Sequence, residues 1–168
     1  MKRIIFVFAL VFVLSAAVSC NKQSGDPFKV LDCDFTVRIS SVCEGTSCVF
    51  EYDKKTQSLC FLSPEELSGY VLRLDGNRVL LSYGDVESEV SAYAGRLAFV
   101  CKEIFSVDAN EINSISAQEN EDGTVTSVKT ENIEYHFVDD GIPAFVSGYF
   151  DGVGFEFTLS DFKVAYGI

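Results

Sequence analysis

Apolar residues recur in this chain at every second position, segment after segment. Leu31, Cys33, Phe35, Val37 and Ile39 alternate with Asp32, Asp34, Thr36, Arg38 and Ser40. That is the pattern of a strand with one face buried and the other in water. Cys48, Phe50 and Tyr52 continue it, and shorter strands are expected over 58–62, 70–74 and 78–84. Asp75-Gly76-Asn77 is a strong hairpin signal between the last two. Ser63-Pro64-Glu65-Glu66 fits a single helical turn, with Ser as N-cap and Pro at the first helical position. The first half thus reads as an antiparallel meander.

The period changes near Val90. Tyr93, Leu97, Cys101 and Ile104 return at helical spacing, with Ala94, Ala98 and Phe105 widening the stripe. One helix is expected over 91–105, packing this stripe on a sheet, although Gly95 lies inside it. Strands then resume over 112–117, 124–129, 133–137, 144–150 and 153–159. Asp122-Gly123, Asp139-Asp140-Gly141 and Asp151-Gly152 mark turns, the last a hairpin. In the final strand Val153, Phe155, Phe157 and Leu159 share a face, but Phe162, Val164 and Tyr166 follow in the opposite phase. Such a flip implies a bulge near Ser160-Asp161.

Eight to ten antiparallel strands with one main helix give an α+β fold. Sheets of that width twist and curl. The expected architecture is a half-barrel with the helix on its concave face. Cys20 to Ile168 comprises 149 of the 168 residues, one domain's worth.

The first twenty residues carry a destination. Lys2 and Arg3 precede an apolar run over 4–14, then small residues, then Cys20. The run is too short for a membrane span, which needs roughly 20 apolar residues, and it fits a secretory signal. Ala17-Val18-Ser19-Cys20 reads as a lipobox, at which Cys20 takes a diacylglycerol and an acyl group such as palmitate. The expected organisation is a signal peptide over 1–19, a lipidated Cys and flexible tether over 20–27, and a single antiparallel-sheet domain over 28–168. The expected location is the outer side of the cell membrane, as a lipid-anchored monomer.

Thirteen basic residues less Lys2 and Arg3 leave 11 against 25 acidic ones. A surface that acidic argues against nucleic acid, which needs a positive face. The aromatic content, 15 Phe and 7 Tyr, argues against disorder. With Cys20 acylated, five Cys remain, an odd number. A local bridge between Cys43 and Cys48 fits the turn they flank, and Cys33, Cys60 and Cys101 read as buried thiols.

Catalytic signals are sparse. His136, the chain's one histidine, falls between Tyr135 and Phe137 on a strand, where a polar-face position is the simpler reading than a general base. Asp32 and Asp34 share a strand's solvent face without a calcium-loop spacing. No metal, cofactor or catalytic residue is assigned, and the chain is not expected to be an enzyme.

The strand meander, the Ser63-Pro64 loop after the third strand, the Asp75-Gly76 hairpin, the mid-chain helix and the lipobox together resemble small bacterial lipoproteins of the LolA-like, unclosed-barrel group. The resemblance rests mainly on Leu59 to Tyr83. It implies an acyl chain or other apolar ligand held between sheet and helix. The residues expected to line such a slot are Phe35, Val37, Phe50, Tyr70, Leu72, Leu81, Tyr93, Leu97, Tyr135, Phe137, Phe155 and Phe157. The chain departs from the group in lacking Trp, in its shorter length and in carrying its own anchor, which argues against a soluble periplasmic carrier. An interaction module using its acidic surface is the alternative from a different class.

Overall fold

The structure, a computed structural model, describes residues 28–43, 45–120, 123–138 and 142–165. The signal, Cys20, the tether, the Asp139-Asp140-Gly141 turn and Tyr166 lie outside them. Eleven strands form one antiparallel sheet. They are β1 (Phe35–Cys43), β2 (Thr46–Asp53), β3 (Ser58–Ser63), β4 (Val71–Asp75), β5 (Arg78–Tyr83), β6 (Val86–Val90), β7 (Ser114–Asn120), β8 (Gly123–Lys129), β9 (Ile133–Val138), β10 (Ile142–Phe150) and β11 (Val153–Val164). The helix α1 (Arg96–Ile104) stands between β6 and β7.

The strand order is β6-β5-β4-β3-β2-β1-β11-β10-β9-β8-β7. The chain therefore starts mid-sheet and meanders to one edge at β6. It crosses to the opposite edge through α1, then meanders back until β11 pairs with β1. The sheet stays unclosed, and the crossover helix sits on its concave side. This is the α+β half-barrel read from the alternation.

Register places the apolar set on one face. Val37 pairs Tyr52, Ile39 pairs Phe50, Tyr52 pairs Leu59 and Leu59 pairs Leu72. On the other arm Phe157 pairs Val146, Val146 pairs Tyr135 and Tyr135 pairs Val128. A one-residue slip in any pair would turn these side chains into water, so burial itself holds the register. Ala98, Val100, Cys101 and Ile104 of α1 complete the core.

The phase flip in β11 is structural. Asp161 has φ +50, and the β1–β11 register shifts between Thr36 and Arg38, so that Phe35 meets Val164 while Ile39 meets Leu159. One extra residue restores the buried face for Phe162 after Leu159 has used the opposite parity.

Four expectations need correction. The strand expected to begin at Leu31 begins at Phe35. Lys29–Asp32 form a 3-10 turn that buries Leu31 and leaves Cys33 exposed, not buried, while Cys60 is half-buried and Cys101 fully buried. Asp32 and Asp34 consequently do not share a strand face. Glu65–Leu67 make a 3-10 turn with Pro64 at the N-cap and no side-chain cap from Ser63. The helix begins at Arg96 rather than residue 91, after a turn in which the Gly95 N–H donates to the Ser91 carbonyl and the Ala94 N–H to the Ser91 hydroxyl, and Gly95 lies against β5. A Cβ there would sit 2.5 Å from both methyl carbons of Val79. Finally, β6 was not anticipated. It is an exposed edge strand whose Glu87-Ser88-Glu89 centre carries no apolar alternation.

Candidate functional site

Aromatic rings fill the middle of the concave face. Phe105 stacks on Tyr52 at 5.2 Å and meets Phe35 edge-on at 5.2 Å. Phe28 meets Tyr135 edge-on at 4.9 Å. Such pairs add to the stabilisation from buried area alone. The Tyr135 hydroxyl donates to the Ile104 carbonyl at 2.8 Å, both buried. It thereby satisfies one of the carbonyls that a helix leaves open at its C-terminus, and it ties the end of α1 to β9. Burial pushes Tyr135, Tyr52 and the Cys101 thiol well above their ordinary pKa ranges.

The face is not filled at the other end of the helix. A cavity of about 1010 Å³ opens beside Leu97 and Val100 of α1, bordered by Ile133, Phe150, Phe155 and Phe157. That volume lies at the upper end of ligand pockets, roughly 300–1,000 Å³. Its wall comes from the β10–β11 hairpin. Asp151 and Gly152 have φ +50 and +74, the doubly positive turn that an Asp-Gly pair supports. The turn sets Phe150 opposite Val153 and Gly148 opposite Phe155. Gly148 lets β10 lie close to the β8–β9 connection, since a Cβ would fall 2.3 Å from the Asn132 carbonyl oxygen. Phe155 and Phe157 lie 5.2 Å apart, and Phe157 meets Phe50 at 5.8 Å. The rim is polar, with Ser41, Ser47, Thr130 and Asn132, and Arg96 borders it from the first position of the helix.

The residues expected to line a slot divide between core and cavity. Leu97, Phe155 and Phe157 border the cavity. Phe35, Val37, Phe50, Leu72, Tyr135 and Phe137 are buried in the packed core, and Leu81 packs against it. Tyr70 stacks on Tyr83 at 4.7 Å, away from the cavity. Tyr93 is 79% exposed and stands outside the helix, which corrects its placement on the apolar stripe. Val100, Ile133 and Phe150 were missed. The register of the Asp151-Gly152 hairpin points to Phe150, since it fixes which β10 residues face Val153 and Phe155.

His136 lies on the convex face. Its Nδ1 is 3.0 Å from the Ser127 hydroxyl, and its Nε2 is 3.6 Å from Glu134. The three are neighbours on adjacent strands, and Glu134 is held more closely by Lys129 at 3.0 Å. Across the β1–β2 hairpin Cys43 pairs Thr46 and Cys48 pairs Ser41. The side chain of Cys43 lies outside the described residues.

No family model matches the chain, and no curated protein does. Among solved structures it is similar to an uncharacterized conserved protein from Thermus thermophilus, at 11% identity and TM-score 0.50, covering 85% of each chain. It is also similar to lipoprotein LppX of Mycobacterium tuberculosis, at 12% identity and TM-score 0.48, over 84% of this chain and 93% of that one. A LolA superfamily protein from Nitrosomonas europaea matches at 10% identity and TM-score 0.42, over 85% and 91%. At these identities the likeness concerns the fold alone.

Proposed function

We propose that the chain is a lipoprotein of the bacterial cell envelope, anchored through a diacylated Cys20 on the outer side of the cytoplasmic membrane. In this reading it holds an apolar ligand such as an acyl chain between sheet and helix, and its role is binding rather than catalysis. The observation that carries the reading is the cavity of about 1010 Å³ beside Leu97 and Val100, walled by Phe150, Phe155 and Phe157. Interiors ordinarily pack without voids, and an apolar void of this size, open to solvent, is what a ligand site provides. The lipobox supports the location, and the acidic body keeps the domain off anionic headgroups while the anchor holds it near them.

Native mass spectrometry tests the reading on the chain bearing Cys20→Ser, which keeps every described residue. Purified from a bacterial host, it should carry one acyl species per chain, or take up one palmitate after delipidation. Leu97→Trp, which puts an indole into the cavity, should abolish the uptake. A delipidated chain that rejects both palmitate and phospholipid would overturn the proposal.

A further inference from the structure

We propose that the cavity selects an amphiphile with a single anionic head, its tail against Phe155 and Phe157 and its head at Arg96. This rests on the cavity being a ligand site and names the class of ligand.

Strand alternation sorts the charges around the cavity. Lys129, Glu134 and Glu156 all border it. In sequence, however, they alternate with Val128, Ile133, Tyr135, Phe155 and Phe157, whose side chains face the helix. Their own side chains therefore stand on the convex face, where Lys129 and Glu134 satisfy each other at 3.0 Å. Glu131 is exposed in the turn between β8 and β9. Arg96 comes from the helix on the concave side and borders the cavity, with its guanidinium near the exposed Tyr93 at the mouth.

Three further observations set Arg96 apart. In a chain with 25 acidic residues against 13 basic ones, none of the ion pairs among the described residues includes it. Its guanidinium lies 5.0 Å from the ring of Tyr93, a cation–π contact that consumes none of its five N–H donors. It also occupies the first position of α1, where the helix dipole disfavours a cation. A free guanidinium at an unfavourable position beside an apolar wall is complementary to a carboxylate or phosphate joined to a hydrocarbon tail, which it can hold with two parallel hydrogen bonds.

Isothermal titration calorimetry of the Cys20→Ser chain with palmitate and with monopalmitoylglycerol decides the matter, since the two share a tail and differ in head charge. Palmitate should bind about ten- to a hundredfold more tightly, the range for one charged hydrogen-bonded contact. Arg96→Gln should erase that difference and Arg96→Lys should retain part of it, with thermal melts confirming that both variants fold. Equal affinity in the parent chain, or a preference that survives Arg96→Gln, would overturn the role of Arg96 and leave the cavity as a neutral acyl site. Failure of both probes to bind would overturn the cavity reading, and this one with it.

Discussion

Replacing Gly95 by alanine sets two rules against each other. Helix propensity favours alanine over glycine by about 0.8–1.0 kcal/mol in a helix interior, so a helix over 91–105 would gain from the change. The packing predicts the opposite sign. The new Cβ would lie 2.5 Å from both Val79 methyl carbons and 2.6 Å from Val79 Cβ, and Val79 is buried in the core. These atoms belong to a β-branched side chain on a paired strand and cannot swing aside, so α1 must shift off β5. Overpacking of this kind costs about 1–3 kcal/mol, and at N-cap geometry the propensity gain is largely absent. For a domain of this size the melting temperature should fall by about 3–10 °C. In a Val79→Ala background two of the three close contacts vanish and one remains, so the penalty should shrink without disappearing, a coupling of roughly 1 kcal/mol. Thermal melts of the four chains give the cycle. A higher melting temperature for Gly95→Ala, or the same drop in both backgrounds, would refute the claim that Val79 leaves no room for a side chain at position 95.

Three other expectations follow from the core and the anchor. Tyr135→Phe strands the Ile104 carbonyl in a buried site and should lower stability by about 1–3 kcal/mol in urea denaturation; a change under about 0.5 kcal/mol would mean the carbonyl finds another donor. Cys101, Tyr52 and Tyr135 all hold their protons more tightly folded than unfolded. Above about pH 9 the unfolded chain therefore sheds protons that the native chain keeps, and stability should fall, each group contributing up to about 1.4 kcal/mol per pH unit. Urea midpoints from about pH 7 to 10.5 should be flat and then drop, the onset moving up in Cys101→Ala. Cys20→Ser should abolish incorporation of radiolabelled palmitate in cells; labelling that persists would place the acyl group elsewhere.

What could be read from the residues was whatever depends on local chemistry. The Asp151-Gly152 turn and the phase change at Asp161 each follow from a few adjacent residues, and both stand where the pattern put them. Elements whose limits depend on distant neighbours were misplaced. Tyr93 satisfies the helical spacing, but it stands in a turn ahead of the helix, closed by the Gly95 N–H on the Ser91 carbonyl, and its ring stays in water. Leu31 keeps the alternation through a 3-10 turn that buries it just as a strand would. Strand β6 lacks the apolar alternation because it is an edge strand exposed from Val86 to Glu89, with only Val90 reaching the core.

The same distinction explains why the expected lining divides between packed core and cavity border. Alternation names the concave face but not the part of it a helix will cover. At about 1.5 Å per residue, the 15 residues of the expected helix would have spanned about 22 Å, whereas the nine of α1 span about 14 Å. Eleven strands about 4.8 Å apart make a sheet roughly 48 Å wide before it curls. A helix this short, pinned to Val79 of β5 at its start and to Tyr135 of β9 at its end, cannot shield every inward aromatic. It seals Phe35, Phe50 and Tyr135 into the core and leaves Phe155 bordering an opening. Gly95 therefore does more than mark a boundary. Its missing Cβ lets the start of α1 lie directly on Val79, and the next residue, Arg96, borders the cavity.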